Sequence, residues 1–405
     1  MAFTPRLLCI EDERQGHREI LRIGADPSGA ERMAAKMVRT LIKIQGVSCR
    51  AANILKQEML AIGGDAAVAR GSVSCAIPET DVILIGSLKT LRQLCRRLPS
   101  QPFGLAELAA DIGRLLQRLD HPPLHLEGRS CRLSLQRPLV MGILNVTPDS
   151  FSDGGCFASP ERALQRARQM VEEGADIIDV GGESTRPGAP PVALDEELDR
   201  VVPIVKALRR DLDVPVSVDT TKAVVAREAV AAGAEFVNDV SGLRFDPEMA
   251  ETVARGGAGL FLMHTRGRPE QMQSDTRYGD LLGEICDYLE HSLKLAREAG
   301  VSESKIALDP GIGFGKDLEG NLEILRRLGE LRALGRPILL GTSRKSFVGT
   351  VLGRKEPGDR LSGTLATVAL GVAQGARIFR VHDVGPAREA ALMASAVCWQ
   401  EQAGE

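Results

Sequence analysis

The chain has 405 residues, 26% charged and 43% hydrophobic, with a formal net charge of −3. This is the mixture of a folded globular protein, long enough for two or three ordinary domains or for one large barrel with an addition. The slight negative charge, with only 10 Phe, 2 Tyr and 1 Trp, excludes a protein built to coat nucleic acid, which needs cations and stacking rings.

Eight cysteines stand at 9, 49, 75, 95, 131, 156, 286 and 398 with no C-x-x-C pair. That scatter argues against a zinc ribbon, an iron–sulfur cluster or a disulfide framework, and for reduced thiols. The opening stretch MAFTPRLLCIEDERQ puts acids where a secretory signal needs an apolar core. No apolar run approaches the roughly 20 residues that cross a bilayer. The expectation is a cytoplasmic protein with neither a membrane nor a nucleic acid as partner.

Residues 1–120 read as a small α+β domain. The pattern predicts helices over 27–45 and 50–62, a short strand near 66–70, a better strand DVILIG at 81–86, the basic helix SLKTLRQLCRRL and an amphipathic helix over 104–118. Residues 1–125 hold 17 Lys and Arg against 13 Asp and Glu, a net of +4 that leaves −7 for the rest. Metal-ligand spacing, a nucleophile constellation and a glycine-rich phosphate loop are all missing from this segment. The face bearing Arg92, Arg96 and Arg97 reads as a solvated helix surface. Asp120-His-Pro-Pro marks the boundary, because two prolines in a row cannot continue a helix.

After a short strand pair at 124–136 the pattern becomes regular. Apolar runs occur as VMGILNV (140–146), DIIDVGG (176–182), VPVSVD (214–219), AEFVNDV (234–240), GLFLMH (259–264), KIALDPG (305–311), PILLGT (337–342) and RIFRVHD (377–383). Amphipathic helical segments separate them. Eight such units over 125–400 predict a (β/α)8 TIM barrel; an open doubly wound sheet is the competitor.

The strands stop being apolar at one end. Asn145, Asp179, Asp219, Asn238, His264, Asp309, Arg380 and His382 close seven of them, and the remaining strand runs into Arg344 and Lys345. In a (β/α)8 barrel all these ends meet at one mouth. Asp219, Asn238 and Asp309 suit a flat heterocycle with amino and lactam edges. Arg344, Lys345, Arg380 and His382 suit phosphate oxygens. The loops TPDSFSDGG (147–155) and GGESTRPGA (181–189) are long and glycine-rich, the composition of binding segments. Asn145 at the first strand end and Asp153 in the first loop offer oxygens that Mg²⁺ accepts, and Thr185 with Arg186 could clamp an acidic second substrate. G-x-S-x-G, H-E-x-x-H and G-x-G-x-x-G are all absent.

The runs LVMGILNVTPDSFSDGG, ADIIDVGGESTRPGA, VSVDTTK, FVNDVSG, LMHTRGRPEQMQ, LDPGIGFGK, GTSRKS and RVHDV, in this order, resemble the dihydropteroate synthase family over about 125–397. The resemblance implies a folate-pathway transferase of the pterin-binding TIM-barrel class, the sulfonamide target. Such an enzyme joins 6-hydroxymethyl-7,8-dihydropterin pyrophosphate to p-aminobenzoate, giving 7,8-dihydropteroate and pyrophosphate. It implies that Asp219, Asn238, Asp309 and Lys345 hold the pterin, and that Asn145, Arg380 and His382 hold the pyrophosphate. Mg²⁺ belongs near Asn145 and Asp153. Phe151, Thr185, Arg186, Pro187 and Ser346 frame p-aminobenzoate, with Arg186 toward its carboxylate. The catalytic set is Asp219, Asp309, Lys345, Arg380 and His382.

Family members are usually homodimers through late barrel helices, and only some carry an N-terminal extension like residues 1–124. Thr265, where Met is more familiar, and Thr342 depart from the pattern without removing an ionic contact. An arylamine is largely neutral at pH 7 and needs no strong base, so the expected route is dissociative (SN1-like). The alternatives are methyl transfer from a tetrahydrofolate to a corrinoid protein, or a non-catalytic pterin-binding protein. Neither requires the SRK and RVH cradle intact.

Overall fold

The computed structural model describes residues 6–10, 12–146, 160–186 and 188–399. The chain divides into two compact units, Met1–His121 and Pro122–Glu405.

The first unit runs α1 (Glu13–Arg22), α2 (Pro27–Met37), β1 (Arg39–Ser48), α3 (Cys49–Ala61), β2 (Asp65–Val68), β3 (Glu79–Ser87), α4 (Leu88–Arg97) and α5 (Leu105–Asp120). Its sheet has the order β1-β3-β2, antiparallel throughout. One sequence expectation fails here. The helix expected over 27–45 ends at Met37, and the chain turns at once into β1. Thr-Leu-Ile-Lys-Ile-Gln is rich in β-branched residues, and pairing with β3 overrides whatever helical spacing it has. Helix α1 was not anticipated at all. Ile42, Val82 and Leu84 point from the sheet into a core with Leu55, Met59, Leu91 and Leu94.

The basic face of α4 also differs from the solvated surface expected. Arg92 reaches Glu13 at 2.7 Å and Asp120 at 2.8 Å, and Arg97 reaches Glu58 at 2.5 Å. These arginines tie α4 to α1, α5 and α3.

The second unit opens with the hairpin β4 (His125–Glu127) and β5 (Arg132–Ser134). The repeating part follows: β6 (Leu139–Asn145), α6 (Pro160–Glu172), β7 (Ile177–Gly181), α7 (Leu194–Asp211), β8 (Val216–Asp219), α8 (Ala223–Ala231), β9 (Phe236–Asp239), α9 (Met249–Gly256), β10 (Gly259–Met263), α10 (Leu281–Glu298), β11 (Ile306–Asp309), α11 (Leu318–Arg327), β12 (Leu339–Leu340), α12 (Ser346–Leu352), α13 (Leu361–Ala373), β13 (Ile378–Val381) and α14 (Val384–Cys398). All eight expected strands form. Their order is β11-β10-β9-β8-β7-β6-β13-β12, every pairing parallel, and a bridge from Leu308 to Ile338 joins the two ends. The sheet therefore closes as a TIM barrel.

Strands β7 to β11 are buried at every residue, which explains their unbroken apolar runs. At the N-terminal end of the ring, Leu126 and Leu135 of the hairpin segment pack with Leu139, Phe236, Phe261 and Ile378. The hairpin thus stoppers the bottom of the barrel and leaves the C-terminal end as the open mouth. Among the described residues no helix is long and apolar enough to cross a membrane.

Candidate active site

The strand-end residues gather around a buried arginine. Asp179, on β7, is fully buried; its Oδ2 accepts from Arg380 Nε at 2.7 Å and from Asn238 Nδ2 at 3.1 Å. Arg380, on β13, also donates through Nη2 to Asp219 Oδ2 at 2.7 Å. One guanidinium thus joins acids from β7 and β8, on the far side of β6.

The rest can be located from two glycines. A Cβ at Gly181 would stand 3.6 Å from Asn145 Oδ1 and 3.8 Å from Asp219 Oδ2. A Cβ at Gly341 would stand 3.8 Å from Asp309 Oδ2, 3.9 Å from Arg380 Cβ and 4.0 Å from Lys345 Nζ. Asn145 and Asp219 therefore stand together beside Gly181, and Asp309 and Lys345 beside Gly341, with Arg380 reaching from the second group to the first.

Electrostatics follow from burial. Asp219 is pushed up to about 7, chiefly by burial; Arg380 opposes the shift and Asp179 adds to it. Burial also raises Asp309, against the pull of Lys345. Lys345 is pushed down to about 8 by burial, with Asp309 opposing. His382 falls to about 3, from burial and then from Arg380 and Arg344. It is therefore a neutral hydrogen-bonding partner at pH 7 and not the cation expected from its place beside the arginines. Its Nδ1 lies 3.0 Å from Ser343 Oγ.

Arg344 departs from expectation too. Its guanidinium pairs with Asp383, at 2.9 Å from Nε, and is not presented to the mouth. Its φ of 59° is in the left-handed region that side chains avoid. Its N–H donates to Thr364 Oγ1 at 3.1 Å and its carbonyl accepts from Arg360 at 2.8 Å, so neighbours hold the turn that returns Lys345 to the mouth.

On the loop after β7, Thr185 is half-buried and Arg186 exposed. Arg186 is near enough to His382 for its charge to lower that ring's pKa. Behind this loop Lys222 donates to Val192 O at 2.8 Å and is bonded to Glu183 and Glu197. Ser346 begins α12, directly after Lys345. Phe151, Asp153 and Pro187 lie outside the described residues.

The chemistry available is that of a cleft with more buried acceptors than donors. Among the described residues, Asp179 Oδ1, Ser217 Oγ and Asp219 Oδ1 are buried without a hydrogen-bond partner. Asp179 and Ser217 are register partners on β7 and β8, and Asp219 follows two residues along. Sequence reasoning placed Asp179 at a strand end but gave it no role in the site; the signal was an acid inside a run of Ile and Val. A recess of about 380 Å³ lies beside this cleft, walled by Arg244, Thr265, Arg266, Tyr278 and Tyr288, and shares only His264 with the strand-end group.

The profile of the pterin binding enzyme family matches residues 141–382. The chain belongs to that family.

Within it the similar proteins are dihydropteroate synthases. The one from Synechocystis is 54% identical over 249 residues, covering 62% of this chain and 86% of that one. A probable bifunctional folylpolyglutamate synthase/dihydropteroate synthase from Halobacterium salinarum is 42% identical over 366 residues, covering 90% of this chain and 43% of that one. That match is longer than the barrel unit, so it takes in part of residues 1–121. A Xanthomonas albilineans dihydropteroate synthase structure with 4-aminobenzoic acid superposes with a TM-score of 0.65 at 41% identity, covering 69% of this chain and all of the other. The activity is accordingly that of dihydropteroate synthase, an alkyl or aryl transfer in folate biosynthesis.

Proposed function

We propose that the barrel joins 6-hydroxymethyl-7,8-dihydropterin pyrophosphate to p-aminobenzoate by a dissociative route. The observation that carries this reading is the row of unpartnered buried oxygens on Asp179, Ser217 and Asp219. A buried acceptor left without a donor costs about 1–3 kcal/mol. Three in one place are offset by a ligand edge rich in N–H groups, which a pterin has. Asp219, beside Asp179 and Ser217, takes that edge, Asn238 and Asp309 extend the contact, and the Lys345 amine faces the ring's acceptors.

The bond that breaks joins the hydroxymethyl carbon to the diphosphate oxygen, and its electron pair leaves with the diphosphate. Positive charge then spreads into the pterin, where the carboxylates of Asp219 and Asp309 oppose it. The amine lone pair of p-aminobenzoate forms the C–N bond, and the nitrogen gives up a proton. Arg380 stabilises charge on the leaving group, a preorganised contribution worth several kcal/mol, about 3 for a single well-aimed donor. His382 adds an N–H and Asn145 a polar wall. Arg186 meets the carboxylate of p-aminobenzoate, with Thr185 and Ser346 beside it; Phe151 and Pro187 complete that subsite in this reading.

The donor chemistry at Asn145 fits Mg²⁺, a hard cation that accepts few protein oxygens and keeps several waters. Asn145 and Asp153 would hold it. When bound it supplies charge neutralisation for the diphosphate.

The chain acts as a homodimer in this reading. Leu370 on α13, with Met393 and Val397 on α14, is more than half exposed, and these are late barrel helices. We place the reaction in the cytoplasm, in keeping with the seven described cysteines, all free thiols.

The test is to mix enzyme, Mg²⁺ and the pterin pyrophosphate without p-aminobenzoate. Pyrophosphate release in the absence of the amine supports the dissociative route. Cleavage that depends strictly on the amine and scales with its nucleophilicity refutes it.

A further inference from the structure

The loop after β11, Gly311 to Lys316, forms one wall of the cleft. It is held in an unusual shape. Gly311, Gly313 and Gly315 have φ of 69°, 82° and 65°, so every second residue is left-handed. At Gly311 there is no room for anything else, since a Cβ would stand 1.9 Å from the carbonyl oxygen of His264. Such a backbone turns its carbonyls to alternating sides, and each needs a donor.

Much of that work falls on one side chain. Lys316 is buried, 3% exposed, and its Nζ donates to Gly311 O at 2.9 Å and to Phe314 O at 2.8 Å. The same nitrogen lies 2.8 Å from Nδ1 of His264, itself buried at the end of β10. Between the two carbonyls that Lys316 holds is the Ile312 carbonyl, which accepts from Lys345 Nζ. The Phe314 ring lies under that same amine, 4.8 Å from its centroid. Lys316 therefore shapes both contacts the loop makes with Lys345.

Burial drives the Lys316 amine well below the usual lysine range and His264 down to about 2. Two carbonyl oxygens and one ring nitrogen around a single buried amine account for its three hydrogen-bonding directions.

We infer that Lys316, braced by His264, is a positioning residue for the pterin subsite: it fixes the Gly311–Gly315 loop and so sets where Lys345 presents its amine to the ring. Neither residue touches substrate in this account. The inference rests on the mouth being the pterin site. If wild-type enzyme turns over no pterin pyrophosphate, that reading fails. If wild-type turns over normally and the variants below behave otherwise than stated, only the role of Lys316 fails.

The experiment is steady-state kinetics on the full chain, varying each substrate in turn. Lys316→Met keeps the length and apolar stem of the side chain but orphans the two carbonyls. It should raise the KM for pterin pyrophosphate about tenfold while the KM for p-aminobenzoate stays within about twofold. An unchanged pterin KM, or equal rises in both KM values, would overturn the inference.

If that variant does not fold, His264 supplies an independent comparison. His264→Gln keeps a polar group for the amine and His264→Leu does not. The pterin KM should rise more in His264→Leu than in His264→Gln; equal values would count against the bracing role. In a double variant the His264→Leu effect should shrink when Lys316 is already Met, because both act through one contact, whereas full additivity would contradict it.

Discussion

At the scale of single residues, two groups at the mouth titrate close to neutrality from opposite sides. Asp219 is held near 7 by burial and Lys345 near 8. Below about 7 the Asp219 carboxyl carries a proton and loses one acceptor for the pterin edge; above about 8 Lys345 loses its charge. The profile of kcat/KM for pterin pyrophosphate, which reports the free enzyme, should therefore be a narrow bell with limbs near these values. Asp219→Asn should abolish the acid limb along with most activity, and retention of that limb would assign it elsewhere. Arg186→Ala should act on the other substrate. Lost contact with a carboxylate costs about 1.5–3 kcal/mol, so the p-aminobenzoate KM should rise at least about tenfold with the pterin KM unmoved. A change confined to the pterin KM would contradict the assignment of Arg186.

At the scale of elements, the hairpin before the barrel and the loops after the strands divide the labour between stability and function. Leu126 is fully buried under the ring with Leu139 and Phe261. Leu126→Ala should cost about 2–5 kcal/mol, the usual range for a buried Leu, with both KM values unchanged in the folded fraction. Chemical denaturation measures the first and initial rates the second; an altered pterin KM would mean that the bottom of the barrel communicates with its mouth. The barrel strands were legible because each is a continuous apolar run closed by one polar residue, a signal independent of partners. Strand β1 was not, because Arg39–Ser48 is exposed at alternate positions and only its pairing with β3 settles its state. Nor could sequence separate Arg344 from Lys345. Adjacent in the chain, they part company only because a left-handed residue sends one guanidinium to Asp383 and the other amine into the cleft. Alternate glycines at 311, 313 and 315 are visible in the sequence, whereas the lysine that holds their carbonyls is hidden. A buried Lys looks like a surface one until its partners are known.

At the scale of the whole molecule, each of the two units has a main hydrophobic core of its own among the described residues. Leu55, Leu84 and Leu91 belong to one, and Val180, Val218 and Leu262 to the other. Each unit thus has what it needs to fold by itself. All the strand-end residues of the candidate site lie in the second unit. Residues 122–405 expressed alone should retain kcat within about threefold of the full chain, a difference under 1 kcal/mol. A loss of two orders of magnitude would show that residues 1–121 take part in turnover or in holding the barrel.

Buried acids, an amide and the Lys345 amine grip a flat bicyclic ring in this reading, while Arg380 draws off its diphosphate. Pyrophosphate release by the full chain, given Mg²⁺, the pterin pyrophosphate and p-aminobenzoate, tests this most directly when wild type is set beside Lys345→Ala. Wild type should release one pyrophosphate per dihydropteroate. Lys345→Ala should lose about a hundredfold or more in kcat/KM, roughly 3 kcal/mol, while keeping its fold by circular dichroism. Near-normal release by Lys345→Ala, or none by wild type, would contradict it.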